Sequence, residues 1–112
     1  MTDTFQSEKT DASAWFNSLR DDIVARFESI ERQHVSNTSP GQFEVKKTKR
    51  TSDDGSDAGG GLMSVMRDGR VFEKVGVNIS TVFGTLGSRA QEAMVARKGL
   101  VKTGKDPRFW AS

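Results

Sequence analysis

Asn78 and Ser80 stand two residues apart in a run of β-branched and aromatic residues. On a strand they share one face, and together they can donate hydrogen bonds to a substrate carboxylate if that face lines a cleft. Exposed strand polarity explains the pair equally well. His34 is the only histidine and there is no cysteine, so one chain can build neither a His-His metal pair, nor a histidine triad, nor a thiol nucleophile. Placed at the end of a helix, an imidazolium there would cap it by interacting with the helix dipole.

Three further clusters yield to plain readings. Gly99, Gly104 and Lys105 have phosphate-loop spacing, but Asp106 stands where Ser or Thr must ligand magnesium, and a helix rather than a strand precedes them. Asp53, Asp54 and Asp57 lie among glycines without the alternating oxygen ligands and closing Glu of a calcium loop. Lys46, Lys47, Lys49 and Arg50 could meet a phosphate backbone, yet no aromatic residues interleave with them, and lysines on a strand edge also discourage aggregation. No residue of the chain is assigned as catalytic, metal-binding or cofactor-binding.

The elements that must position these groups follow from periodicity. Residues 1–10 read as a disordered tail. Asp11 or Ser13 then caps a helix with Phe16, Leu19, Ile23, Phe27 and Ile30 on one stripe, ending near residues 34–37, where Ser, Asn, Pro and Gly cluster. Phe43 and Val45 alternate with polar residues as in a short edge strand. Residues 51–61 carry aspartates and three consecutive glycines, and read as a flexible loop. Leu62, Ser64 and Met66 share one strand face, Asp68-Gly69 is a two-residue hairpin signal, and Val71, Glu73, Val75, Val77, Ile79, Thr81 and Phe83 share a face of the return strand. Gly76 suggests a bulge or a close approach. Ser88 caps a second helix through Ala90, Met94 and Val95, and residues 102–108 form a basic loop. The aromatic end, Phe109-Trp110, is read as exposed and as a sign that the polypeptide continues.

At 112 residues, with 17 basic and 15 acidic side chains, the chain is one domain in size with a net charge of +2. Neither nucleic acid nor membrane is expected as a partner, and no apolar run reaches the ~20 residues of a bilayer span. Zero cysteines and a polar, acidic N-terminus fit a cytoplasmic location.

Residues 59–84 carry a specific pattern. Three glycines lead into Gly69-Arg-Val-Phe-Glu-Lys-Val-Gly-Val-Asn-Ile-Ser-Thr-Val, and Gly84 follows; a helix opening on Trp15-Phe16 precedes it, and Asp106-Pro-Arg-Phe-Trp-Ala-Ser112 follows. In this order the chain resembles the N-terminal part of oxygen-dependent coproporphyrinogen III oxidases. The resemblance implies an α+β fold, with a flat antiparallel sheet covered by helices on both faces, a homodimer, and a tetrapyrrole cleft beside the sheet. It implies oxidative decarboxylation of two propionates of coproporphyrinogen III to vinyls, with molecular oxygen as co-substrate and no redox cofactor. In the family the substrate-contacting serine, the proton-donating histidine and the asparagine-arginine clamp lie beyond the stretch matched here. The segment the resemblance assigns to dimer contact is Val65, Met66, Arg67, Asp68, Gly69, Arg70, Val71, Phe72, Glu73 and Lys74. Arg67 and Arg70 flank the turn as cations that could hold carboxylates. Many members carry a tryptophan near residues 47–49 and a histidine where Phe83 stands. The alternative is a small noncatalytic module that uses the hairpin edge for interaction.

Overall fold

The computed structural model describes residues 5–87, 89, 92–93 and 108–112. It is α+β: one long helix, α1 (Gln6–Gln33), lies on a four-stranded antiparallel sheet of β1 (Phe43–Thr51), β2 (Asp57–Arg67), β3 (Lys74–Thr85) and β4 (Arg108–Ala111). The strands follow one another across the sheet in chain order. The helix expected after Ser88 and the loop at residues 102–107 lie outside the described residues, apart from Arg89, Glu92 and Ala93, which are helical.

The helix starts at Gln6, so residues 6–10 are not a tail, and Asp11 and Ser13 lie inside it rather than capping it. No side chain caps the start; Lys9 N–H closes the first turn onto the Phe5 carbonyl at 2.9 Å. Its stripe toward the sheet runs through Phe16, Arg20, Ile23, Val24, Phe27 and Glu31, all buried or half-buried. Leu19 and Ile30, expected on that stripe, are exposed. The two charged residues displace them because the layer beneath α1 contains polar groups that need partners, a hydroxyl and a cluster of backbone amides.

Pairing places Phe43, Val45 and Lys47 of β1, Leu62, Ser64 and Met66 of β2, and Val75, Val77 and Ile79 of β3 on the face beneath α1. Phe27 joins the layers, meeting Phe43 edge-on at 6.3 Å and Phe72 at 4.9 Å between ring centroids. Met66 is fully buried at this junction. The faces expected from the alternation are those observed, although the register is not the expected one. A turn at Asp68-Gly69 would pair Arg67 with Arg70, whereas Arg67 pairs with Lys74 across a six-residue connection. Only Asp68 has positive φ there, at 54°. The slip of four residues is even, so every side chain keeps its face.

Residues 59–61 are strand, not loop. What remains of the expected loop is residues 52–56, an ordered turn. Asp54 accepts from Ser56 N–H at 2.9 Å and from its hydroxyl at 2.6 Å, and Ser52 N–H bonds the Ser56 carbonyl at 2.9 Å. The Ser56 hydroxyl, aided by its amide, holds the Asp54 carboxyl below its ordinary range. Gly59 and Gly60 hold positive φ, at 113° and 157°, and all three glycines serve proximity: a Cβ on Gly59 would lie 2.0 Å from the Thr81 carbonyl oxygen, on Gly60 2.3 Å from that of Thr48, and on Gly61 1.9 Å from that of Ile79. Gly76, expected to mark a bulge or close approach, does neither; its pairing is regular and a Cβ would find nothing nearer than 3.9 Å. The terminal aromatics are not exposed and unpartnered, since β4 pairs Trp110 with Phe83 and Phe109 with Gly84.

Candidate functional site

The most organised group in the structure is a buried carboxylate. Glu31, fully buried, sits where the last turn of α1 crosses the β2–β3 connection. Oε1 accepts from Gly41 N–H at 2.7 Å and Arg70 N–H at 2.5 Å; Oε2 accepts from Val71 N–H at 2.7 Å and Phe72 N–H at 2.9 Å. Three successive amides of the connection thus wrap one anion, in the manner of a backbone nest. Gly69 makes room for this, because a Cβ there would lie 2.7 Å from both carboxylate oxygens. Burial pushes the Glu31 carboxyl up, but the amides of Gly41, Phe72, Val71 and Arg70 outweigh it and hold the pKa at about 2. The connection closes on itself through Asp68 N–H to the Glu73 carbonyl and Gly69 N–H to the Phe72 carbonyl, both 2.9 Å.

Arg70 completes the junction from the other side. Its guanidinium donates to the carbonyls of His34 at 3.0 Å, Glu31 at 3.4 Å, and Thr38. The end of α1 is therefore capped by Arg70 and not by the imidazole of His34, which is exposed. Arg70 is committed to these carbonyls and is not a free fork for a substrate carboxylate; Arg67 ends β2, exposed. Further along α1, Arg20 donates from Nε at 3.2 Å and Nη2 at 2.6 Å to the hydroxyl of buried Ser64, and from Nη1 at 2.7 Å to exposed Asp21.

The opposite face of the sheet carries Met63, Val65, Gly76, Asn78, Ser80 and Val82. Asn78 and Ser80 are exposed here and share the face as expected. Asn78 Oδ1 accepts from Ser64 N–H at 3.2 Å, which fixes the side chain against β2. The ten residues from Val65 to Lys74 comprise the end of β2, the connection held by Glu31 and the first residue of β3, with Val71 46% exposed near its tip. The basic run of β1 does not form one patch: Lys46 and Arg50 lie on the open face, Lys47 and Lys49 on the helix side. The phosphate-loop-like residues 99–106 lie outside the described residues. Among the described residues no group of three His, Cys, Asp or Glu is placed to hold a metal ion, and no helix is long and apolar enough to cross a membrane.

Arg20 and Glu31 were not picked out as functional from the sequence. Their signal was present, because both fall in phase with Phe16, Ile23 and Phe27, and a charge in phase with an apolar stripe must be buried with partners.

A family model described as Coproporphyrinogen III oxidase matches residues 11–112, which include most of α1 and all four strands. Curated relatives carry the name oxygen-dependent coproporphyrinogen-III oxidase. That of Rickettsia bellii (strain RML369-C) is 51% identical over 74 residues, 64% of this chain and 24% of the relative. That of Rickettsia felis is 49% identical over 73 residues, 65% of this chain and 25% of the relative. That of Rickettsia africae is 46% identical over 76 residues, 68% of this chain and 26% of the relative. The chain thus spans about a quarter of the length of the relatives it matches. No solved structure matches it. With the family model covering the helix stripe, the glycine-rich strand and the wrapped connection together, the chain belongs to the coproporphyrinogen III oxidase family.

Proposed function

We propose that this chain forms the N-terminal part of a single-domain oxygen-dependent coproporphyrinogen III oxidase and supplies its scaffold rather than its reacting groups. The observation that carries this reading is the family match across residues 11–112. In the reaction each of two propionates loses its carboxyl group as carbon dioxide and a hydrogen from the carbon next to the pyrrole. Two electrons pass to molecular oxygen, which leaves as hydrogen peroxide, and the side chain becomes a vinyl. Coproporphyrinogen III becomes protoporphyrinogen IX, a step of porphyrin and haem formation. The electron-rich reduced pyrrole is itself the reductant of oxygen, so no redox cofactor is required.

In this reading Asn78 and Ser80, exposed on the open sheet face, hydrogen-bond a substrate carboxylate. The segment from Val65 to Lys74 contacts a second subunit in a homodimer, and its three amides held by Glu31 give that segment one shape to present. The enzyme works in the cytoplasm.

The test is a chimera in which this chain replaces the corresponding segment of the Rickettsia bellii relative. Oxygen-dependent conversion of coproporphyrinogen III at a rate near that of the parent supports the proposal; a folded, inactive chimera overturns it. The 112-residue chain alone should show no turnover, and turnover would refute its scaffold role.

A further inference from the structure

The sheet has two unlike edges. β1 exposes Lys46, Lys47, Lys49 and Arg50, a composition that repels a further strand. The outer edge of β3 is different. β4 covers only Val82, Phe83, Gly84 and Thr85, and among the described residues no strand pairs with residues 74–80 on that side. This stretch, Lys-Val-Gly-Val-Asn-Ile-Ser, carries a single charge, at its start. A row of unpaired backbone donors and acceptors flanked by Val and Ile is an acceptor for another strand.

The register states what arrives there. In every β3–β4 pair the two residue numbers sum to 193, as in 82 with 111 and 85 with 108. Position 112 therefore falls opposite Thr81, and the Ser112 hydroxyl is already there, 3.1 Å from the Thr81 hydroxyl and donating to the Ser80 carbonyl at 3.3 Å. A polypeptide continuing in the same direction runs straight onto the vacant edge.

We propose that the β3 edge at residues 74–80 receives, as an antiparallel extension of β4, the seven residues that follow the counterpart of Ser112 in the full-length relatives. The inference rests on the reading of this chain as the N-terminal part of such a protein, but not on its activity. It fixes a pattern. The first, third and fifth residues after the Ser112 position fall opposite Ser80, Asn78 and Gly76 and share the open face, so the third side chain stands beside Asn78. The second, fourth and sixth fall opposite Ile79, Val77 and Val75 beneath the helix layer and must be apolar. The fifth, facing a glycine, has room for a large side chain.

The experiment adds to the 112-residue chain, in trans, a peptide of the nine residues that follow that position in the Rickettsia bellii relative, with a scrambled peptide as control. Amide exchange of Gly76, Asn78 and Ser80, whose N–H groups face the free edge as the Ser80 carbonyl does, should slow by about tenfold or more with the native-order peptide alone. Peptides with cysteine at the second, third or fourth position, mixed with the Asn78→Cys chain, should form a disulfide fastest from the third. Equal protection by the scrambled peptide, fastest trapping from the second or fourth position, or protection that rises with chain concentration in the absence of peptide, which would mean a second copy occupies the edge, each overturns the proposal. Neither readout measures catalysis, so a catalytically inactive chimera leaves the strand assignment standing and a failed trapping leaves the activity standing.

Discussion

Gly61→Ala isolates the claim that the glycines of β2 exist to let backbones approach. A Cβ at position 61 lies 1.9 Å from the Ile79 carbonyl oxygen, 2.8 Å from its carbon and 2.8 Å from Ser80 Cα. Ordinary contact begins at 3.4 Å, so β3 must retreat by 3.4 − 1.9, or 1.5 Å. A normal strand spacing is only about 4.8 Å, and such a shift stretches the ladder at the pairs Gly60–Thr81, Gly61–Ser80 and Leu62–Ile79. The carbonyls of Ile79 and Thr81 turn toward β2 and that of Ser80 turns to the outer edge, so Gly60–Thr81 and Leu62–Ile79 carry two ladder bonds each and Gly61–Ser80 none. At about 1 kcal/mol per hydrogen bond, weakening these four costs about 3 kcal/mol. For a domain of this size that lowers the melting midpoint by roughly 12–20 °C. The control is Gly76→Ala on the neighbouring strand, where the nearest atoms are 3.9 Å away and the backbone is regular. That substitution should be neutral or stabilise by about 0.4–1 kcal/mol through the unfolded chain. Urea titration followed by circular dichroism measures both. A Gly61→Ala cost below about 1 kcal/mol, or an equal loss at Gly76, would refute the crowding argument.

Glu31→Gln retains the shape but replaces one acceptor oxygen by an amide that meets backbone N–H groups. Because the folded pKa is lowered from 4.5 to about 2, the wild-type carboxylate contributes stability that is fully present above pH 4.5 and lost as pH falls from 4.5 toward 2. The variant should lose stability at neutral pH and lack that part of the acid dependence, and parallel wild-type and variant profiles of urea midpoint against pH would contradict the role. Met66→Ala empties a fully buried site and should cost about 2–5 kcal/mol in the same titration, with less than 1 kcal/mol arguing that α1 does not close over it. Arg70→Met removes the donors to three carbonyls at the end of α1 and should cost about 1–3 kcal/mol, with faster amide exchange confined to the last helical turn and residues 34–38; unchanged exchange there would count against the cap.

What was legible in the sequence was what depends on period. Alternation assigns Leu62, Ser64 and Met66 to one face and Val75, Val77 and Ile79 to the matching face, and the 3.6-residue period places Phe16, Ile23 and Phe27 on the buried stripe. These survive errors in boundary and register, because a slip of four residues leaves a two-residue alternation in phase. What was not legible was chain economy at the glycines. Residues 59–61 have no side chains to show a pattern, and the same composition that marks a loop also marks a strand squeezed between two carbonyl rows.

The hairpin turn failed for a different reason. Asp68-Gly69 has the local chemistry of a two-residue turn, and in isolation that preference would decide the pairing. Here a partner remote in sequence offers the amides of Arg70, Val71 and Phe72 something the ladder cannot, a buried anion that must be satisfied by hydrogen bonds or remain costly. The connection opens to six residues so that three consecutive donors can turn inward, and Gly69 is used for its missing Cβ instead of a positive φ. The same arrangement explains why Arg70 is committed to the carbonyls at the end of α1: with Glu31 accepting amides on one side of the crossing, those carbonyls need a donor on the other. Position 31, seen as an acidic residue in phase with Phe27, was the sequence clue to both. A buried charge on a helix stripe predicts that some loop elsewhere has been reshaped to meet it, and here that loop is the segment proposed to face a second subunit.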